Sequence, residues 1–193
     1  MELNKYEKII ATRNLRESMD KVALGIFDRQ HLEAIHQQMC QNLDHRPDLA
    51  PGRARIPAAA MDNLARSICD SANSVVGAKH KEEAAQELAR AFVATISERP
   101  FASFNKQVAM LMVDGMAKSS GNVIDWKELD AKTLEHAVNG SRAVQDVSNL
   151  FESAMLPKAK MELTPLERKE VHYRRQKPAS NDPSLTAQTY LLG

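Results

Sequence analysis

Most residues in this sequence that could handle protons, metals or phosphate are scattered, and only one stretch gathers them. His31 and His36 stand five apart, off the single helix face that two histidine ligands need, and no HExxH accompanies them. Both are therefore expected to be structural or solvated, and no metal site is expected. Cys40 and Cys69 lack CxxC spacing and lie in helix-like contexts, which suits a reducing compartment better than a disulfide framework. No serine sits in a nucleophile elbow, and neither a P-loop nor a GxGxxG stretch is present. The exception is Glu98-Arg99-Pro100-Phe101-Ala102-Ser103-Phe104-Asn105-Lys106-Gln107, where two cations and several polar groups share a junction between two predicted helices. A second basic cluster, Arg168-Lys169 on to Lys177 with His172 and Tyr173, is interleaved with Glu167 and Glu170 and reads as a solvated helix face.

The elements around that junction are helical. Glycine is scarce at 7, apolar/polar alternation is almost absent, and apolar residues recur at three and four, so the fold class is all-α. A length of 193 residues with 43% hydrophobic composition fills one core and leaves little for a second domain. Residues 1–27 read as an amphipathic helix (Leu3, Tyr6, Ile9, Ile10) packing on a helical core over 28–157. Within the core, Asp28 caps a helix with Leu32, Ile35, Met39 and Leu43 inward, and residues 44–57 form a loop with three prolines and a glycine. Pro57 suits the first turn of a helix burying Met61, Leu64, Ile68, Ala72 and Val75.

The next helix covers 79–96 and stops before Pro100; another starts near Asn105, with Val108, Leu111, Met112 and Met116 inward. Asp125 and Asp130 cap short pieces, Asn139-Gly140 turns the chain, and Ser141 opens a helix with Val144, Val147, Phe151 and Met155 inside. Trp126 is expected to be a core or boundary anchor. The capping box Thr164-Pro165-Leu166-Glu167 opens a charged helix within 158–176, and 177–193 read as a disordered tail.

The junction resembles the signature of the Fic/Doc family, His-Pro-Phe-x-x-Gly-Asn-Gly-Arg, or His-x-Phe-x-Asp-Ala-Asn-Lys-Arg in the Doc branch. Pro100, Phe101 and Asn105 are identical to family positions and Lys106 matches the Doc-type lysine. His31-Leu32-Glu33-Ala34-Ile35-His36 resembles an upstream family helix, the loop Leu49-Ala50-Pro51-Gly52-Arg53-Ala54-Arg55 resembles the Trp-Ala-Gly-x-x-Arg turn, and Asp125-Trp126 resembles a downstream pair. The resemblance covers about 28–150. It implies a Fic-like helical bundle with a central motif loop and helix, leaves room for a short β-hairpin flap relic, and implies transfer of a nucleotide, usually AMP, to a protein hydroxyl.

That chemistry asks for a histidine base, an acidic residue to hold magnesium, small residues where the helix start touches phosphate, and an arginine on the phosphate charge. All four positions are changed, to Arg99, Ser103, Phe104 and Gln107, and Met110 stands where many family members carry a further arginine. Arginine does not deprotonate in proteins and cannot be the base. The resemblance thus implies a degenerate motif (Arg99, Ser103, Phe104, Asn105, Lys106, Gln107) without catalytic residues, cofactor or metal. Pro100 would end one helix, Phe101 pack beneath, and Asn105 cap the next. Of the family's Ser/Thr-x-x-x-Glu-Gly/Asn inhibitory helix, Ser148 and Glu152 have the spacing, but Ser153 follows.

The expected function is a catalytically inactive Fic-fold protein acting by protein-protein binding, as an inhibitor or modulator encoded on a plasmid or other mobile element, or as a secreted effector. Arg53, Arg55, Arg99 and Lys106 are the expected partner contacts, arginine being enriched at interface hot spots. One alternative is an enzyme with altered phosphate or nucleotide chemistry on the same four cations. Another is a nucleic-acid-binding module using residues 166–175. The formal charge of +1, from 26 Lys plus Arg against 25 Asp plus Glu, gives no global field for nucleic acid. Nucleotide and nucleic-acid partners are not expected. No apolar run is long enough to span a bilayer and no signal-peptide pattern is seen, so a cytoplasmic place is expected, with specialised secretion left open.

Overall fold

The computed structural model describes residues 3–21, 26–43 and 45–157. The expected charged helix and tail, 158–193, lie outside the described residues, as do Asp44 and the basic cluster near Arg168. Among the described residues seven helices run in the order α1 (Lys5–Lys21), α2 (Arg29–Met39), α3 (Ala58–Gly77), α4 (Lys81–Glu98), α5 (Asn105–Ser119), α6 (Ala131–Asn139) and α7 (Ala143–Ala154), with a short 3₁₀ turn at Pro47–Leu49. The caps follow the local chemistry. Asp28 accepts from the His31 N–H at 2.8 Å and Asp130 from the Thr133 N–H at 2.8 Å, each satisfying an orphan donor of a helix start.

α5 is the axis of the core. A helix that is apolar all round must be buried all round, and Val108, Ala109, Leu111, Met112, Val113, Met116 and Ala117 are all fully inaccessible. α4 packs on α3, α5 and α7, and its Phe92 meets Phe151 of α7 edge-on at 5.3 Å. Trp126 closes the same region, edge-on to Phe151 at 5.9 Å, while its indole N–H donates to Asp114 at 3.3 Å. A strand pair absent from the sequence reading, β1 (Asn122–Ile124) against β2 (Met155–Pro157), runs antiparallel with Val123 opposite Leu156. Three-residue strands carry too little alternation to be read locally.

α1 departs from its expected stripe. Its buried face is Glu7, Ile10, Asn14 and Ser18, whereas Tyr6 is 69% and Ile9 60% exposed. The inward polar groups are hydrogen-bonded, although Asn14 Oδ1 meets no partner among the described residues. Asn4 and Glu7 form a reciprocal capping box (2.8 and 3.0 Å), and Glu7 also takes Arg46 and His45 at 2.9 Å. Asn14 donates to the Met39 and Gln41 carbonyls at 3.1 and 2.7 Å. No helix among the described residues is long and apolar enough to cross a membrane.

Candidate functional site

The motif loop joins the end of α4 to the start of α5, and two left-handed residues bracket it. Arg99 (φ 46°) ends α4, its N–H donating to the Thr95 carbonyl at 3.2 Å, and Phe104 (φ 56°) starts α5. Left-handed backbone costs an ordinary residue roughly 1–2 kcal/mol, so tertiary contacts must hold the loop in place. Pro100 follows because its ring cannot continue a helix. Phe101 is 1% exposed and stacks face to face on His36 at 4.2 Å.

Asn105 does not cap α5. Its amide instead brackets Phe101, accepting from the Phe101 N–H and donating to the Phe101 carbonyl, both at 2.9 Å. Two backbone groups that no helix or strand would satisfy are thereby paired. The capping position falls to Phe104, which offers no side-chain bond. Its ring packs instead against Ile10, Cys40, Leu43 and Leu49.

His36 ties the loop to α2 and to the 50s loop. The Gly52 N–H donates to His36 Nδ1 at 3.1 Å, so the ring proton sits on Nε2, which faces Ser103 Oγ at 3.3 Å. In that tautomer His36 donates to Ser103 and cannot take its proton, so the pair is no nucleophile and base. Burial, which disfavours the charged ring, lowers the pKa of His36 to about 4. The Cys40 thiol, 3.7 Å from the same nitrogen, is pushed up to about 11 by burial, against a smaller opposing pull from its bond to Ser103. A neutral buried thiol is a poor nucleophile. The sequence carried one signal for this role: His36 stands four residues after Leu32 and three before Met39, on the buried stripe of α2.

The 50s loop lies directly on the motif. Ala54 forms an isolated antiparallel bridge with Phe101, and the Arg55 N–H donates to the Pro100 carbonyl at 2.7 Å. That single bridge stands where the resemblance left room for a hairpin flap. Gly52 takes φ +65°, and a Cβ there would meet Gln37 Cβ at 3.4 Å.

Of the four expected contact cations, two come together. Arg99 and Lys106 line one cavity of ≈ 270 Å³ over an apolar floor of Phe92 and Ile96 from α4 and Leu134 and Val138 from α6, with Glu135 and Asn139 beside them. Neither cation forms an ion pair with a described residue. Arg53 and Arg55 are exposed on the loop and do not line this cavity. Ser103, where the resemblance asks for a magnesium ligand, is 7% exposed and faces His36. Its inward neutral hydroxyl does not fit that metal. Among the described residues no group of three or more His, Cys, Asp and Glu could hold a metal ion.

No family model matches the sequence, and no curated protein matches it. Solved structures do. The chain is similar to the BepC protein of Bartonella tribocorum, a VirB-translocated effector with bound AMPPNP, at TM-score 0.62 and 16% identity over 80% of this chain and 92% of that one. It is also similar to the FIC domain of the Bep5 effector protein of Bartonella clarridgeiae, at TM-score 0.63 and 17% identity over 89% of each chain. The order of helices, the motif loop at the head of the buried α5 and these likenesses agree: the fold of this chain is that of a Fic domain.

Proposed function

We propose that this chain is a Fic-fold protein without nucleotide-transfer activity that works by binding another protein, as an inhibitor or modulator of that partner. The observation that carries the reading is the Arg99–Lys106 cavity. At ≈ 270 Å³ it lies at the small end of the roughly 300–1,000 Å³ typical of small-molecule sites. Two cations that form no ion pair with a described residue, set over an apolar floor, suit one anchoring side chain of a partner. The motif supports this. Arg99 cannot accept a proton, Ser103 is engaged with His36, and the Phe101 backbone is occupied by Asn105. Losing a general base alone costs about 10²–10⁴ in rate.

The rival is binding of a phosphorylated ligand by the same two cations, with altered chemistry; the BepC neighbour holds AMPPNP. Two measurements separate them. Thermal unfolding with ATP, GTP, UTP or CDP-choline, with and without magnesium, should show no stabilisation; a shift of several degrees supports the rival. Affinity capture from the native host should recover a protein partner that an Arg99→Glu, Lys106→Glu variant loses.

A further inference from the structure

We propose that the outward face of α1 docks an acidic amphipathic helix of a partner protein. The inward side of α1 holds Glu7, Asn14 and Ser18 beside Ile10, Leu15 and Met19, whereas Tyr6 is 69% and Ile9 60% exposed. Lys5, Lys8, Arg13 and Arg16 are exposed on the same side, in a stripe with Ile9 and Thr12. Among the described side chains the opposing charge there is Glu17, which meets Arg13 at 3.7 Å; Glu7 is turned inward to Arg46 and His45. Hydrogen bonds offset the desolvation of Glu7, Ser18 and the Asn14 amide N–H groups on the inward face, while Tyr6 and Ile9 stay outside among cations.

Charge and length together define the occupant. From Lys5 to Arg16 the stripe runs about 16 Å at the helical rise, roughly three turns of a partner helix. Carboxylates at i and i+3 or i+4 on such a helix would face the cations, while an apolar residue between them covers Tyr6 and Ile9. Two exposed apolar side chains are too few to seat α1 in a bilayer, which needs a broad apolar face. Nucleic acid would leave Ile9 unsatisfied, and the net charge of +1 offers no wider field to it. The stripe shares no residue with the Arg99 cavity, so this inference is independent of the function proposed for that cavity.

The probe is a dye-labelled helical peptide with glutamates on one face and a central leucine, titrated with the full chain by fluorescence anisotropy. Lys8→Glu with Arg16→Glu should weaken binding at least about tenfold, roughly 1.4 kcal/mol, and Ile9→Ala should weaken it severalfold. Arg99→Glu should leave it unchanged. All of these side chains are exposed, so an unchanged unfolding midpoint checks that the variants fold. No binding of the peptide, equal binding by the charge-reversed variant, or tighter binding of phosphatidylglycerol vesicles or duplex DNA would overturn the proposal.

Discussion

Acid should destabilise this protein through His36, over a window that its surroundings define. In the unfolded chain the imidazole takes a proton near its ordinary value of 6.5, whereas in the fold burial delays this to about 4. Because the folded pKa is the lower one, the contribution is intact above pH 6.5, falls as the unfolded state alone gains the proton, and levels off below about 4. The slope is about 1.4 kcal/mol per pH unit, giving a total loss of about 3 kcal/mol. That is a large share of the roughly 5–15 kcal/mol that holds a domain together. Glu7, Asp48 and Asp130 are also held below the usual carboxylate range, by hydrogen bonds from Asn4, Arg46 and Thr133 respectively, and add their own acid loss at lower pH. Comparison with His36→Phe removes them, since that variant keeps an aromatic ring against Phe101 and cannot titrate. Urea unfolding of both proteins from about pH 7.5 to about 4.5 should show the variant less stable at neutral pH and the two curves converging in acid. Parallel curves would refute the argument.

Other perturbations follow from the same loop. Asn105→Ala should cost roughly 2–4 kcal/mol by leaving the N–H and carbonyl of Phe101 unpaired, and Asn105→Asp, which can accept but not donate, about half as much in a urea titration. Arg99→Gly should raise stability by about 1 kcal/mol by relieving left-handed backbone, while abolishing capture of the partner; a gain without that loss would remove Arg99 from the interface. Gly52→Ala should destabilise by roughly 1–2 kcal/mol, because its φ of +65° is strained for any side chain.

Much of this architecture is legible because it is local. Apolar spacing locates the helices, Asp28 and Asp130 announce their caps, and Pro100 marks a break that the structure places after α4. What escaped the sequence depends on partners distant along the chain. β1 and β2 are three residues each and pair across the whole of α6 and α7. Glu7 and Asn14 face inward on α1 because their partners are Arg46, His45 and the carbonyls near Met39, which no periodicity encodes. Asn105 shows the same limit: a capping residue at a helix start and a bracket around Phe101 look alike in sequence, and only the loop path decides between them.

A Fic fold without transfer chemistry, as proposed here, should leave no covalent mark on other proteins. Incubating the full chain with labelled ATP and magnesium in lysate of its native host tests this directly. No labelled protein should depend on the chain, and Arg99→Ala should behave as the parent does. A labelled band produced by the parent and lost with Arg99→Ala would contradict it.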